Sequence, residues 1–432
     1  MSSADTIFAL SSGRLPSGVA IIRLSGPSVR FAFETLIGQV PKSRHATYAR
    51  VRDRNLEIDR GICLFLPGPG SATGEDCGEF HVHGGPAVVK ALLTILADLP
   101  GFRPAEPGEF TRRAFLNGKF DLTGVEALSD LIAAETEQQR RLAVDNIGER
   151  QRNAYLGWRQ RILELRALAE AQLDFSDQDD VGETEDGGIS DTAGAIAAEI
   201  DAHVALFRQA EIVRDGYSVV IIGAPNAGKS SLLNALAQRD AAIVSEEAGT
   251  TRDPVTVAIE IDGYKVNLTD TAGIRDNPGR IEALGIERAI RLAERADLVV
   301  HLVDMSEPVE ARLGVSAEVL SVGTKADLVP ADDGRLAVSS VSGAGIDALL
   351  REIGSRLKNV VSVGDDVLPT RERHVRHLNA ASQALRKSTR VAMLELRAEE
   401  LRLAAVELGR IVGLSDTEEL LGEIFSRFCI GK

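Results

Sequence analysis

The sequence predicts a multi-domain α/β protein in which a domain of alternating strands and helices interrupts a helical region, with an α+β segment ahead of both. Three observations predict it. The 432 residues exceed one ordinary domain and call for about two to four. Between about Asp215 and Leu357, apolar runs of strand length alternate with segments of helical spacing. On either side, from about Val125 to Leu173 and from Pro369 to Leu420, turn residues are sparse and apolar positions recur three and four apart. A domain whose termini lie close together can interrupt a helical host in this way.

From Thr6 to about Asn117 the pattern is mixed. Val19 to Ile22 and Ile62 to Leu66 read as strands, and Pro86 to Leu99 as a helix with proline at its first position. Asp174 to Gly188 is acidic and ends in paired glycines, which predicts an exposed loop. A further helix is expected from about Asp191 to Val213. The domain boundaries expected on this basis are 1–117, 118–213, 214–360 and 361–432.

Composition narrows the class. Hydrophobic residues make up 44% and charged residues 26%, ordinary for a water-soluble globular chain. Met1 to Leu10 lacks the basic start and apolar core of a secretion signal, and no run reaches the ~18 to 20 apolar residues of a membrane span. A cytoplasmic location without membrane attachment is expected. Cys63, Cys77 and Cys429 form no CxxC pair, which argues against a disulfide framework or a zinc site. A net charge of -15 repels polyanions at long range, so nucleic-acid binding requires a local basic patch or a basic partner.

The chemistry centres on the middle of the chain. Tyr217 to Ile222 is an apolar strand, followed by Gly223-Ala224-Pro225-Asn226-Ala227-Gly228-Lys229-Ser230 and a helical run from Ser231. This is GxxxxGK[ST] in its strand, loop, helix context, the signature of a P-loop nucleotide-binding domain. Loop amides and the helix N-terminus face phosphate, Lys229 reaches the β and γ phosphates, and Ser230 ligates Mg²⁺.

Three further stations follow in the order a Ras-like GTPase requires. Thr250 and Thr251 lie in a loop where a hydroxyl can complete the Mg²⁺ shell and sense the γ-phosphate. Asp270-Thr271-Ala272-Gly273 follows the alternating strand Tyr264 to Leu268, so Asp270 can hold Mg²⁺ through water while the Gly273 amide faces the γ-phosphate. Thr324-Lys325-Ala326-Asp327 ends another strand, and the Asp327 carboxylate can accept from guanine N1 and N2, where adenine offers no equivalent donors. GTP is therefore expected over ATP. Thr324 stands where Asn is usual, which removes one amide contact to the base. Ser339 and Ser340 precede Gly343 and form the expected last loop around the base. Ile274 occupies the position where many small GTPases carry a water-orienting Gln, so hydrolysis needs a cation, a carboxylate such as Glu282, or a partner.

Beyond these motifs, several segments carry a family resemblance: Gly18 to Gly26, Thr73-Gly74-Glu75-Asp76, His83-Gly84-Gly85-Pro86, Pro107 to Asn117, and Phe425 to Lys432. Across nearly its whole length the chain resembles the tRNA-modification GTPases of the MnmE (TrmE) family. The resemblance implies an α+β N-terminal domain that binds tetrahydrofolate and mediates a homodimer, a helical domain in two parts, and the inserted G domain. It also implies a heterotetramer with an FAD-containing protein of the MnmG type, which would carry most of the tRNA contact. Together they would place a carboxymethylaminomethyl group on carbon 5 of the wobble uridine, with 5,10-methylene-tetrahydrofolate as one-carbon source and 5-formyl-tetrahydrofolate as a ligand of the same site.

Carried over by motif, Arg23, Glu79, Lys119 and Lys432 match the folate-contacting positions, and Cys429 matches the family's C-terminal cysteine, a catalytic candidate. Asn226 matches the side-chain ligand for K⁺, with Ser245, Glu247 and Thr250 completing the cage. The rest of that loop, Glu246, Ala248 and Gly249, lies against the nucleotide with Ser231. Potassium would supply the positive charge of an arginine finger when two G domains meet. Glu282 matches the acidic residue that orients water. An alternative is a dimeric GTPase of ribosome assembly, which shares the G-domain motifs but has no reason to carry Arg23, Lys119 or Cys429 to Lys432.

Overall fold

The computed structural model describes residues 5–174, 184–238, 242–243, 255–271, 290–307, 316–329, 335–361, 366–414 and 431. The chain forms two compact units, Met1–Ser129 with Ile147–Gln160 and Ala405–Lys432, and Asp130–Asn146 with Arg161–Ala404.

In the first unit, β1 (Thr6–Leu10), β2 (Ser17–Ser25), β3 (Thr47–Asp53), β4 (Leu56–Leu66), β5 (Cys77–Gly84) and β6 (Phe102–Pro104) form one sheet in the order β3-β4-β5-β2-β1-β6. Ile22 and Leu24 alternate with Ile21 and Arg23 along β2, so one face is apolar and the other carries charge. Two helices, α1 (Val29–Ile37) and α2 (Pro86–Asp98), cover the apolar face, where Phe33, Phe65, Phe80, Leu92 and Leu96 are buried. Pro86 opens α2 as expected, because its missing N–H would have had no helical partner. After β6 come α3 (Glu109–Leu116) and α4 (Leu122–Ala133).

The second unit contains α5 (Glu137–Ile147), α7 (Thr184–Ala205), α8 (Phe207–Asp215), α9 (Lys229–Ala237), α10 (Ile346–Val360), α11 (Glu372–Ser388), most of α6 (Arg150–Asp174) and part of α12 (Leu394–Val412). Its sheet has the order β13-β12-β11-β7-β10-β9-β8. These strands are β7 (Tyr217–Gly223), β8 (Ala242–Ile243), β9 (Val255–Ile261), β10 (Tyr264–Asp270), β11 (Leu298–Asp304), β12 (Glu318–Thr324) and β13 (Leu336–Val338). Pairing is parallel from β13 to β10, and β9 returns antiparallel. The connection out of β7 leads to the β8–β9–β10 side, whereas β11, the strand on its other side, connects away to β12 and β13, so the crevice beyond the carboxyl end of β7 is a topological switch point, where open α/β sheets bind ligands.

Two expectations change. The acidic stretch is helical from Thr184 onward, so Thr184 to Gly188 opens α7. The remainder, 175–183, lies outside the described residues. The helix expected from Asp191 to Val213 breaks at Leu206, where the Leu206 amide bonds the His203 carbonyl three residues back. The break lets α8 bury Ile212 and Val213 in the α/β core beside Tyr217 and Val266.

Candidate functional site

Five strand ends meet at the switch point. Gly223 closes β7, Asp270 closes β10, Asp304 closes β11, Thr324 closes β12, and Ser339 follows β13. The register sets them side by side: Leu302 pairs with Gly223, Asp304 with Thr324, and Thr324 with Val338.

Backbone geometry explains the loop's composition. A Cβ on Gly223 would stand 2.7 Å from the Leu302 carbonyl oxygen. Asn226 has φ of 63°, a left-handed conformation that Asn tolerates better than most residues, and Gly228 takes φ of 90° as N-cap of α9. The Leu232 amide bonds the Gly228 carbonyl, so helical bonding begins at once and the preceding amides face the crevice. Ala227 is buried beneath.

Lys229 curls over the loop, its Nζ 2.9 Å from the carbonyl oxygens of both Gly223 and Ala224. This holds a cation where phosphate oxygens would lie. Ser230 Oγ donates to Asp270 Oδ2 at 2.6 Å, and Asp270 is 3% exposed. A hydroxyl and a buried carboxylate in contact at the foot of a phosphate loop are hard oxygen donors suited to Mg²⁺. Thr271 Oγ1 donates to the Ile221 carbonyl, and Ser231 lies in the first turn of α9.

At the base-recognition end, Thr324 is buried, its Oγ1 donating to the Val303 carbonyl, and the place of a Cβ on Gly228 is 4.0 Å from Thr324 Cβ. The Thr324 methine carbon therefore stands against the phosphate loop. Lys325 adopts φ of 62°, and Asp327 is exposed. Ser339 Oγ accepts from the amides of Val341 and Ser342, shaping the turn that contains Ser340.

Asp304 and Ser306 are residues that the motifs did not single out. Asp304 Oδ2 lies 2.5 Å from Lys325 Nζ, while its Oδ1 accepts from the Ser306 amide and hydroxyl at 2.9 and 2.6 Å. Burial alone would raise the Asp304 carboxyl, but the Lys325 ammonium and the two Ser306 donors hold it at about 2. The signal was present: an Asp ending an apolar strand with Ser two residues on is an Asx-turn pattern. Asp304 fixes the Lys325 side chain within the base-recognition segment. We expect Asp304→Asn to weaken guanine-nucleotide binding about tenfold with unchanged turnover at saturating GTP. Titration with a fluorescent GDP analogue checks this, and an unaltered Kd would show that Lys325 needs no anchor.

The second cluster is on the first unit's sheet, on the face opposite α1 and α2. Arg23 and Glu79 are directly paired across β2 and β5. Arg23 Nε donates to Glu79 Oε1 at 3.0 Å, and His81 Nε2 lies 2.8 Å from Glu79 Oε2. Arg23 remains 32% exposed, enough to meet a carboxylate. Lys119 is exposed after α3, its amide bonded to the Ala114 carbonyl, and its ammonium makes no hydrogen bond to that cluster. Ser245, Glu246, Glu247, Ala248, Gly249, Thr250, Thr251, Ala272, Gly273, Ile274, Glu282, Cys429 and Lys432 lie outside the described residues. Ser11 Oγ donates to the carbonyl of Gly431, one residue before Lys432.

Comparison with known proteins identifies the family. Residues 6–119 match the model for the GTP-binding protein TrmE N-terminus, and residues 122–429 match that for the MnmE helical domain. The chain is 53% identical over 447 aligned positions, covering 100% of each chain, to the tRNA modification GTPase MnmE of Mesorhizobium japonicum. It is 51% identical to that of Chelativorans sp., covering 99% of this chain and 98% of the relative. The G domain of the T. maritima FeoB iron transporter is similar over 33% of this chain and 98% of its own, at 22% identity and a TM-score of 0.24. Full-length identity above one half removes the ribosome-assembly alternative. The chain is a GTP-hydrolysing enzyme of tRNA modification and belongs to the MnmE (TrmE) family.

Proposed function

We propose that the chain works as a homodimer with an FAD-containing MnmG-type protein to install a carboxymethylaminomethyl group on carbon 5 of the tRNA wobble uridine. The one-carbon unit would come from 5,10-methylene-tetrahydrofolate bound at the N-terminal sheet. One observation carries the folate half: the Arg23–Glu79–His81 cluster, an accessible cation beside an oriented carboxylate. Arg23, with Lys119 and Lys432, would hold the glutamyl carboxylates, and Glu79 would accept from the pterin's amino donors. Cys429 would act beside this site.

In the G domain, Lys229 and the loop amides bind the phosphates, Asp327 selects guanine, and Glu282 orients water. Ser230 and Thr251, with Asp270 through water, would hold Mg²⁺, which neutralises phosphate charge. Asn226, with Ser245, Glu247 and Thr250, would hold K⁺ between two facing G domains. Support for the Mg²⁺ assignment comes from the Ser230–Asp270 contact.

Calorimetric titration of the full chain with 5-formyl-tetrahydrofolate tests the reading, with Arg23→Ala and removal of Cys429 to Lys432 as controls. Specific binding that is lost in both variants is expected. A folded parental chain that takes up no folate would sink the one-carbon role while leaving GTP hydrolysis untouched.

A further inference from the structure

Residues 371–390 carry six arginines and lysines against a single carboxylate, Glu372, in a chain whose net charge is -15. Within this stretch α11 buries Leu378, Ala381, Ser382 and Leu385, with Ser382 Oγ donating to Asp201 Oδ1 of α7 at 2.6 Å. The other side is exposed and bears Arg376, Asn379, Gln383, Arg386 and Lys387, and Arg390 is exposed in the turn after α11. Steps of three and four residues keep the helical ones on one stripe, which at 1.5 Å per residue runs about 16 Å from Arg376 to Lys387, and Arg390 follows in the turn beyond the helix, its amide bonded to the Lys387 carbonyl.

Ordinary causes explain only part of this charge. Arg371 is paired with Asp130 at 2.6 Å, and Arg386 with Asp201. Lys387 in the last turn suits the helix dipole. No such cause applies to Arg376, in the second turn from the N-terminal end. Among the described residues, Arg376, Lys387 and Arg390 make no ion pair or side-chain hydrogen bond. The neighbouring carboxylates of α7 are engaged elsewhere, Asp201 as above and Glu199 with Arg161 at 2.7 Å.

We propose that this stripe is a tRNA-binding surface of the chain itself, additional to whatever a partner contributes. Arg376, Lys387 and Arg390 meet backbone phosphates, and the amides of Asn379 and Gln383 bond phosphate or ribose hydroxyl oxygens between them. The proposal rests on the tRNA-modification reading. Charge complementarity selects the occupant. A protein partner needs apolar anchors at the centre of its interface, and the stripe has none. A second copy mated through a two-fold axis would set these cations against themselves. A membrane requires an exposed apolar face, whereas the apolar side of α11 is already packed.

The test is tRNA binding to the full chain, with an unmodified tRNA transcript titrated across about 50 to 200 mM salt. The triple variant Arg376→Glu, Lys387→Glu, Arg390→Glu should bind at least about tenfold more weakly. Its slope of log affinity against log salt should be shallower by about 2 to 3, near one per lost phosphate contact. The variant with Arg376→Lys and Arg390→Lys should keep the parental slope, and intrinsic GTP hydrolysis should be the same in all three. Parental affinity and slope in a charge-reversed variant of unchanged melting temperature would overturn the proposal. So would a parental chain with no salt-dependent tRNA binding, or a reversed variant that keeps tRNA and loses an acidic protein instead. Folate binding is measured separately, so a failed stripe and a failed one-carbon role give different results.

Discussion

Lys229→Ala is expected to lower kcat/KM for GTP hydrolysis by at least about a hundredfold, through both binding and turnover. The ammonium is held at two points, on the Gly223 and Ala224 carbonyls, so the folded protein already has it where phosphate charge would arrive. That order matters because a fixed charge in a shielded site stabilises a developing negative charge without reorganising at the moment of reaction. Alanine should keep α9, since its helical bonding starts from Gly228 and alanine is a strong helix former. A hydrolysis assay with the far-ultraviolet spectrum as control checks this. A folded variant that turns over at the parental rate would mean the phosphate charge is met elsewhere. Run in potassium and in sodium salts, the same assay bears on the cation cage, and equal rates would remove the proposed role of Asn226. Parental turnover by Glu282→Ala in that assay would likewise remove Glu282 as the water-orienting residue.

How legible these features were depends on how local their causes are. The phosphate loop could be read in full, because the demands on Gly223, Asn226 and Gly228 are backbone demands within one loop, written into residue type. Strand and helix positions followed from period, which is why Pro86 opens α2 where expected. The break at Leu206 could not be read: it has no Gly or Pro, and arises because Ile212 and Val213 find a core assembled from strands far along the chain. Asp304 was missed for a related reason. Its partner Lys325 is distant in sequence, and only the pairing of β11 with β12 brings the two strand ends together. The basic stripe on α11 was hidden by averaging, since an acidic total says nothing about which face of one helix carries charge. Conversely, the segments that carried the family resemblance in the first unit converge physically. Ser25, Thr73, Glu75, Glu109 and Arg113 come from three of those segments and share one buried hydrogen-bonded network.

That network sets the largest stability effect we expect. Arg113 is 6% exposed and donates to Glu75 Oε2 at 2.9 Å, to Glu109 Oε1 at 3.0 Å, and to the carbonyls of Asp5 and Ser25. Glu75 also accepts from Ser25 Oγ at 2.7 Å, and Ser25 and Thr73 hydroxyls lie 2.7 Å apart. Arg113→Met keeps volume and removes the charge, leaving the Glu75 and Glu109 carboxylates short of a cation in a buried place, so a loss of about 3 to 5 kcal/mol is expected. Glu109 retains Arg103 at 2.6 Å, which favours the lower end of that range. Burial pushes the Glu109 carboxyl up, but Arg103, the Glu106 amide and Arg113 together hold it below the usual carboxylate range. A carboxyl with a depressed folded value stabilises the protein above its unfolded value, and that contribution fades as pH falls through the folded one. The melting temperatures of parent and Arg113→Met should therefore differ most near neutrality and converge in acid. Calorimetric scans across that range decide the matter: a gap constant with pH would show that Arg113 acts through packing, and no gap at pH 7 would show that its ion pairs contribute nothing net.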